Sequence, residues 1–127
     1  MRELPRWGVA GDDLGDWCPM PEIIRDGQYV TFINIFRCDP YNQAEVVQIN
    51  VDIVDQVAPR FPGFVSAIVH RSTDGTRVIN YLQWESAEHL AAMQRSAEFQ
   101  AIGRRFAGLI EFDPHQCEVV HIREASP

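Results

Sequence analysis

The chain has 127 residues, 46% of them hydrophobic, and a formal net charge of −7, which fits one domain able to bury roughly two thirds of the surface that its unfolded form exposes. The acidic balance excludes nucleic acid and anionic membranes as natural partners, since both demand a basic surface. All eleven basic residues are Arg, so a Schiff base on a lysine amine is excluded, while Cys18, Cys38 and Cys117, without any CxxC spacing, argue against a disulfide framework or structural zinc and for a reducing cytoplasm.

Residues 1–27 contain Pro5, Pro19 and Pro21, no continuous apolar run and no sustained periodicity. They read as an irregular N-terminal arm, neither a signal peptide nor a membrane span. Trp7 and Trp17 leave two readings of the arm, a disordered tail or a segment whose two tryptophans dock on its own domain or on a partner subunit. The domain proper is expected over residues 28–127. "QYVTFINIFR", residues 28–37, is rich in β-branched and aromatic residues and predicts the first strand. Asp39 and Pro40 suit a helix start. Val47, Val51, Val54 and Ala58 then recur at helical spacing, until Pro59 or Pro62 ends the helix.

"GFVSAIVHR" predicts a second strand, "STDG" a turn and "TRVINYLQW" a third strand, together a hairpin. Ser86 caps a second helix with Leu90, Met93 and Ala97 on its apolar stripe and a break near Ser96. Phe99, Ile102 and Phe106 continue a further helical segment to Gly108, and "CEVVHI", residues 117–122, predicts the last strand. The order βαββαβ is the split-βαβ, ferredoxin-like arrangement of the α+β class, with both helices on one face of an antiparallel sheet. The other face, expected to hold Ile33, Ile35, Val65, Ala67, Val69, Ile79 and Tyr81, is too apolar for water. A homodimer, with two sheets facing each other as a dimeric α+β barrel, would cover it.

Side chains alternate along a strand, so Thr76, Val78, Asn80, Leu82 and Trp84 share one face of the third strand, and Asn34 shares a face with Val30, Phe32 and Phe36. Turned toward the helices, two amides and an indole N–H enter an apolar cleft. Each has a structural explanation when taken alone: a buried Asn can satisfy a bulge, and a Trp at a strand-to-helix junction can be core. Together they favour a ligand with carbonyl or phenol oxygens, because each group costs about 1–3 kcal/mol if buried unpartnered.

The run "TDGTRVINYLQWES", preceded by "PGFVSAIVHRS", resembles the antibiotic biosynthesis monooxygenase family, and most closely its cofactor-independent anthrone oxygenases of aromatic polyketide pathways. The similarity spans about residues 28–122 and is strongest over residues 62–86. It implies a ferredoxin-like homodimer that oxidises a tricyclic anthrone to a quinone with O₂, with no metal, haem or flavin as cofactor. The family's strand Asn and the Trp that follows it fall on Asn80 and Trp84, and the first-strand Asn of related members falls on Asn34. A Tyr used by some members corresponds to Leu90. Their helix Arg aligns with Gln100, with Arg104 one turn later.

The resemblance assigns the Asn80 and Trp84 N–H groups as donors to an enolate oxygen and Asn34 as a positioning group for substrate or peroxide. Phe36 and Phe64 are expected as apolar walls, Arg104 as a substrate contact, and His70 or His89 as proton acceptor. Rival readings are a ring-opening oxygenase or polyketide cyclase of the same pathway class, a haem-degrading enzyme with His89 as axial ligand, and a non-catalytic dimeric module that binds aromatic ligands.

Overall fold

A computed structural model of the chain describes residues 29–126. The expected arm over residues 1–27, with Trp7, Trp17 and Cys18, lies outside the described residues. The elements in chain order are β1 (Val30–Arg37), α1 (Gln43–Asp52), β2 (Phe64–Arg71), β3 (Arg77–Trp84), α2 (Ala87–Gln94), α3 (Ala97–Gly103) and β4 (Glu111–Cys117). All strand pairs are antiparallel, in the order β2-β3-β1-β4. This is the ferredoxin-like α+β fold expected from the βαββαβ pattern.

The first helical stretch is longer and less regular than α1 alone. A short 3₁₀ turn (Pro40–Asn42) precedes it, a π-helical segment (Ile53–Val57) continues it, and a second 3₁₀ turn (Ala58–Arg60) ends it. Asp39 has extended backbone at the start but makes no side-chain cap bond. The buried residues are Val46, Ile49, Asn50, Ile53, Val57 and the expected Ala58, whereas the expected Val47, Val51 and Val54 are half-buried. Both stripes keep helical spacing, and packing on the sheet selects the former. In the second helical stretch Ser86 and Ser96 each cap a helix by accepting the N–H of His89 and Phe99, so the break expected near Ser96 is a true helix boundary.

Two expectations fail for local reasons. The last strand is Glu111–Cys117, not residues 117–122, and it contains Pro114. As an edge strand paired only with β1 among the described residues, it tolerates a residue that cannot donate to the ladder. The second failure lies in β2, where the register with β3 slips between Phe64 and Ser66. One extra residue at a bulge exchanges the faces of everything after it. Ala67 and Val69 therefore lie opposite Leu82 and Asn80 on the helix-facing side, packed against the core, whereas Ser66, Ile68 and His70 join Gln83, Tyr81 and Ile79 on the outer side.

Two hydrophobic clusters flank the middle of the sheet. One gathers Phe32, Val57, Ala58, Leu82, Trp84, Leu90 and Met93, and the other Phe36, Val46 and Val78. Arg105, just beyond α3, reaches Asp52 at 2.7 Å, a bond that holds the Asp52 carboxyl below its ordinary range and ties the two helical stretches together.

Candidate active site

A cavity of about 410 Å³ lies between the sheet and the helices, within the size range of small-ligand sites. Its floor is the helix-facing side of the sheet: Asn34 and Phe36 from β1, Asn80, Leu82 and Trp84 from β3, and Phe112 from β4. Asn50, Ile53, Val54 and Ala58 roof it from the first helical stretch, and Leu90, Met93, Phe99, Gln100 and Arg104 from the second. The π-helical segment contributes Ile53 and Val54 to this roof.

The walls are stiffened by aromatic packing. Phe36 stacks on Phe106 with ring centroids 5.1 Å apart and meets Phe112 at 5.0 Å. Phe64, expected as a wall, instead packs edge-on against Trp84 at 5.3 Å and is not among the lining residues. It supports the wall from behind.

Asn34 and Asn80 are direct cross-strand partners, so both amides come from the same level of the sheet. Asn34 is 8% exposed, Asn80 4% and Trp84 0%. The Asn80 amide nitrogen donates to Asn50 Oδ1 at 3.1 Å, and the Asn50 amide nitrogen donates to the Val46 carbonyl at 3.0 Å. Two buried polar atoms of cavity-lining residues have no hydrogen-bond partner among the described residues, Asn80 Oδ1 and Trp84 Nε1. A third, Gln83 Oε1, belongs to the outer side, where the Gln83 amide nitrogen donates to Thr31 Oγ1 at 3.2 Å. An orphaned buried polar group costs about 1–3 kcal/mol, a cost that one acceptor and one donor of cavity-lining residues carry unless something outside the described residues supplies a partner.

Residues 30–105, more than half of the chain, match the family described as antibiotic biosynthesis monooxygenase. The chain belongs to the antibiotic biosynthesis monooxygenase family. A tetracenomycin-F1 monooxygenase from Streptomyces glaucescens is 34% identical over 91 residues, which are 72% of this chain and 81% of that protein. An anthrone oxidase-like protein of known structure is 27% identical with a TM-score of 0.67, over 76% of this chain and 41% of that one. SnoaB, a cofactor-independent oxygenase from Streptomyces nogalater, shares the fold at 18% identity and a TM-score of 0.60, covering 79% of this chain and 98% of its own.

Within this monooxygenase, Asn34, Asn80, Trp84, Phe36 and Arg104 are brought together around one cavity. His70 is not. The bulge in β2 puts it on the outer face, exposed, with Nδ1 3.3 Å from the Ile79 carbonyl. His89 does not line the cavity either: its Nδ1 lies 2.7 Å from Ser86 Oγ, and its ring is seated against Gly63, where a Cβ would come within 2.3 Å of it. Leu90 and Gln100 both line the roof, with the Gln100 amide donating to the Gln94 carbonyl at 2.8 Å. Among the described residues Arg104 is the one ionisable side chain lining the cavity.

Asn50 is the member of the site that sequence reasoning missed. It is 1% exposed, and its signal was a polar residue inside the stripe Val46, Ile49, Ile53, Val57. In the expected stripe of Val47, Val51, Val54 and Ala58, Asn50 lies at the flank rather than at the centre.

Proposed function

We propose that this monooxygenase oxidises an anthrone-type polycyclic aromatic polyketide to a quinone with O₂, without metal, haem or flavin, in antibiotic or pigment biosynthesis. The observation that carries the reading is the apolar cavity lined by Trp84 and Asn80, whose Nε1 and Oδ1 have no partner among the described residues. Its relatives include a tetracenomycin-F1 monooxygenase, and the fold is shared with a cofactor-independent oxygenase.

The chemistry asks little of the protein because an anthrone is its own reductant. Loss of a proton from its central CH₂ gives an enolate delocalised over the fused rings. The Trp84 N–H stabilises the enolate oxygen as a donor already set in place by the fold. The enolate passes one electron to O₂, the resulting radical pair joins as a peroxide at the former CH₂ carbon, and loss of water leaves the new carbonyl. The balance is one CH₂ and one O₂ giving one C=O and one H₂O. With Arg104 as the only ionisable lining group among the described residues, the proton leaves to water rather than to His70 or His89. Asn34, opposite Asn80 on the floor, positions substrate or peroxide, and Arg104 contacts the substrate at the roof.

The working form in this reading is a cytoplasmic homodimer. Ile33, Ile35, Ile68, Ile79 and Tyr81 lie together on the outer side by register, and a second copy would remove that apolar face from water. Burial pushes the Tyr81 hydroxyl above its ordinary range, in keeping with an apolar surrounding. None of the helices among the described residues is long and apolar enough to cross a membrane.

The test is anaerobic incubation of the purified protein with an anthrone, followed by admission of air while O₂ uptake and quinone absorbance are followed. One O₂ consumed per quinone formed, at a rate set by protein concentration, supports the reading. Quinone formation no faster than without protein, or a stoichiometric flavin or haem spectrum, overturns it. Sedimentation of a monomer alone at micromolar concentration would overturn the dimer.

A further inference from the structure

The hydrogen-bond chain beside the cavity has a direction, and a backbone carbonyl sets it. The Val46 oxygen can only accept, so the Asn50 atom 3.0 Å from it is the amide nitrogen. The Asn50 oxygen then faces Asn80, and the Asn80 atom 3.1 Å away donates. What is left of Asn80 without a partner among the described residues is its oxygen. Reversing the Asn80 amide would set two oxygens against each other, and with Asn80 4% and Asn50 1% exposed water cannot relieve that repulsion. The indole of Trp84 is a donor only. Among the described residues, the two fully buried floor atoms without a partner, Asn80 Oδ1 and Trp84 Nε1, therefore have opposite senses.

We propose that Asn50 is a positioning residue that locks Asn80 as an acceptor, so that the site selects aromatic substrates bearing a neutral phenolic hydroxyl for Asn80 Oδ1 together with a carbonyl or enolate oxygen for Trp84 Nε1. The proposal rests on the cavity being the substrate site. It replaces the expectation that Asn80 and Trp84 both donate to one enolate oxygen. It also makes Asn80 a specificity filter: O-methylation removes the donor and leaves Asn80 Oδ1 buried and unpaired, and a phenolate oxygen meets it with lone pair against lone pair. A site built to bond a hydroxyl discriminates strongly against the analogue that lacks it.

Binding of 2-hydroxyanthraquinone and 2-methoxyanthraquinone, which are already oxidised and do not turn over, is measured by calorimetric titration of the native protein. At a pH below the phenol's own pKa the hydroxyquinone should bind about tenfold or more tightly, and its affinity should fall as the pH rises and the phenol ionises. Asn50→Leu releases the Asn80 amide to turn, so the preference should drop to within about threefold and the pH dependence should flatten. Asn50→Asp keeps the preference at low pH, because a neutral carboxyl accepts from Asn80 and donates to the Val46 carbonyl in the same geometry.

Equal binding of the two quinones, or tighter binding of the phenolate, by the native protein overturns the proposal even if Asn50→Leu fails to fold. An undiminished preference in folded Asn50→Leu overturns the role of Asn50. If neither quinone binds while an anthrone is still oxidised, the acceptor assignment is wrong and the oxygenase reading stands. If neither binds and no anthrone is oxidised, both fall.

Discussion

The hairpin from β2 to β3 treats its polar groups in two opposite ways. In the turn, Asp74 accepts from Ser72 Oγ at 2.7 Å, Thr76 Oγ1 at 2.7 Å and the Thr76 N–H at 3.0 Å, while Ser72 Oγ also accepts the Arg77 N–H at 2.9 Å. The Gln43 side chain ties the same turn to α1 through the Ser72 and Arg77 carbonyls. The bonds from the Thr76 hydroxyl, the Ser72 hydroxyl and the Thr76 N–H hold the Asp74 carboxyl down to about 2. A few residues on, in the middle and at the end of β3, Asn80 and Trp84 each keep an atom that nothing in the described chain satisfies. The turn directs its polar chemistry into making the hairpin, and the strand holds its polar chemistry for something outside the chain. Exposure runs the other way from function here, since the satisfied groups are at the surface and the unsatisfied ones are buried.

If that contrast is right, removing the strand's groups should change rate and removing the turn's groups should change stability. Trp84→Phe keeps most of the buried volume and loses the N–H. Asn80→Ala loses the amide. Each should lower kcat/KM for an anthrone by about 100-fold, as the loss of one preorganised donor or partner commonly does, with the far-UV circular dichroism unchanged. Variants that melted far below the parent yet turned over normally per folded molecule would make both residues core and dissolve the contrast.

Gly63 tests the scaffold that sets Trp84 in place. It has a φ of +91°, its Cβ position is occupied by the His89 ring, and its carbonyl accepts the Glu85 N–H at 2.7 Å. Gly63→Ala should cost about 1–2 kcal/mol from the left-handed backbone alone and more from the collision, seen as a lower midpoint in chemical denaturation. A midpoint equal to the parent's would show that the His89 ring moves aside without loss.

The turn should respond more weakly. Asp74→Ala is expected to lower the melting temperature by a few degrees, the usual response of a small domain to one lost set of polar contacts, with kcat/KM within about twofold. A loss of rate comparable to that of Trp84→Phe would erase the distinction between the two regions.

The smallest effect concerns acid. Asp74 has a folded pKa lowered from 3.8 to about 2, so its stabilisation is complete above 3.8 and is lost as the pH falls toward 2. Asp74→Asn should flatten the acid side of the stability curve in that window and lower its level near neutrality, where the parent's carboxylate contribution is complete. A curve that superimposes on the parent's would show that the turn carboxylate is as well paired in the unfolded chain.

Strand alternation and turn chemistry in the sequence were enough to indicate β1, the hairpin, the two capped segments α2 and α3, and a common face for Asn34, Asn80 and Trp84. These are local matters: a period of two, a Gly after Asp, a Ser before a helix. The positions where sequence and structure part are those where two elements must choose each other. The inserted residue in β2 moved His70 out of the site and Ala67 and Val69 into the core, because a bulge is decided by what β3 offers across the ladder and not by the composition of β2. The strand over Glu111–Cys117 is polar and contains Pro114, and it is a strand because β1 has an open edge beside it. Asn50 became part of the site because the stripe that packs on the sheet is Val46, Ile49, Ile53, Val57 rather than its neighbour, and both have helical spacing. Periodicity along one chain segment fixes which residues share a face. Which of two such faces turns inward, and with which hydrogen-bonding sense, is decided only when the segments are packed together, since it depends on the volume and the acceptors that the other segment presents.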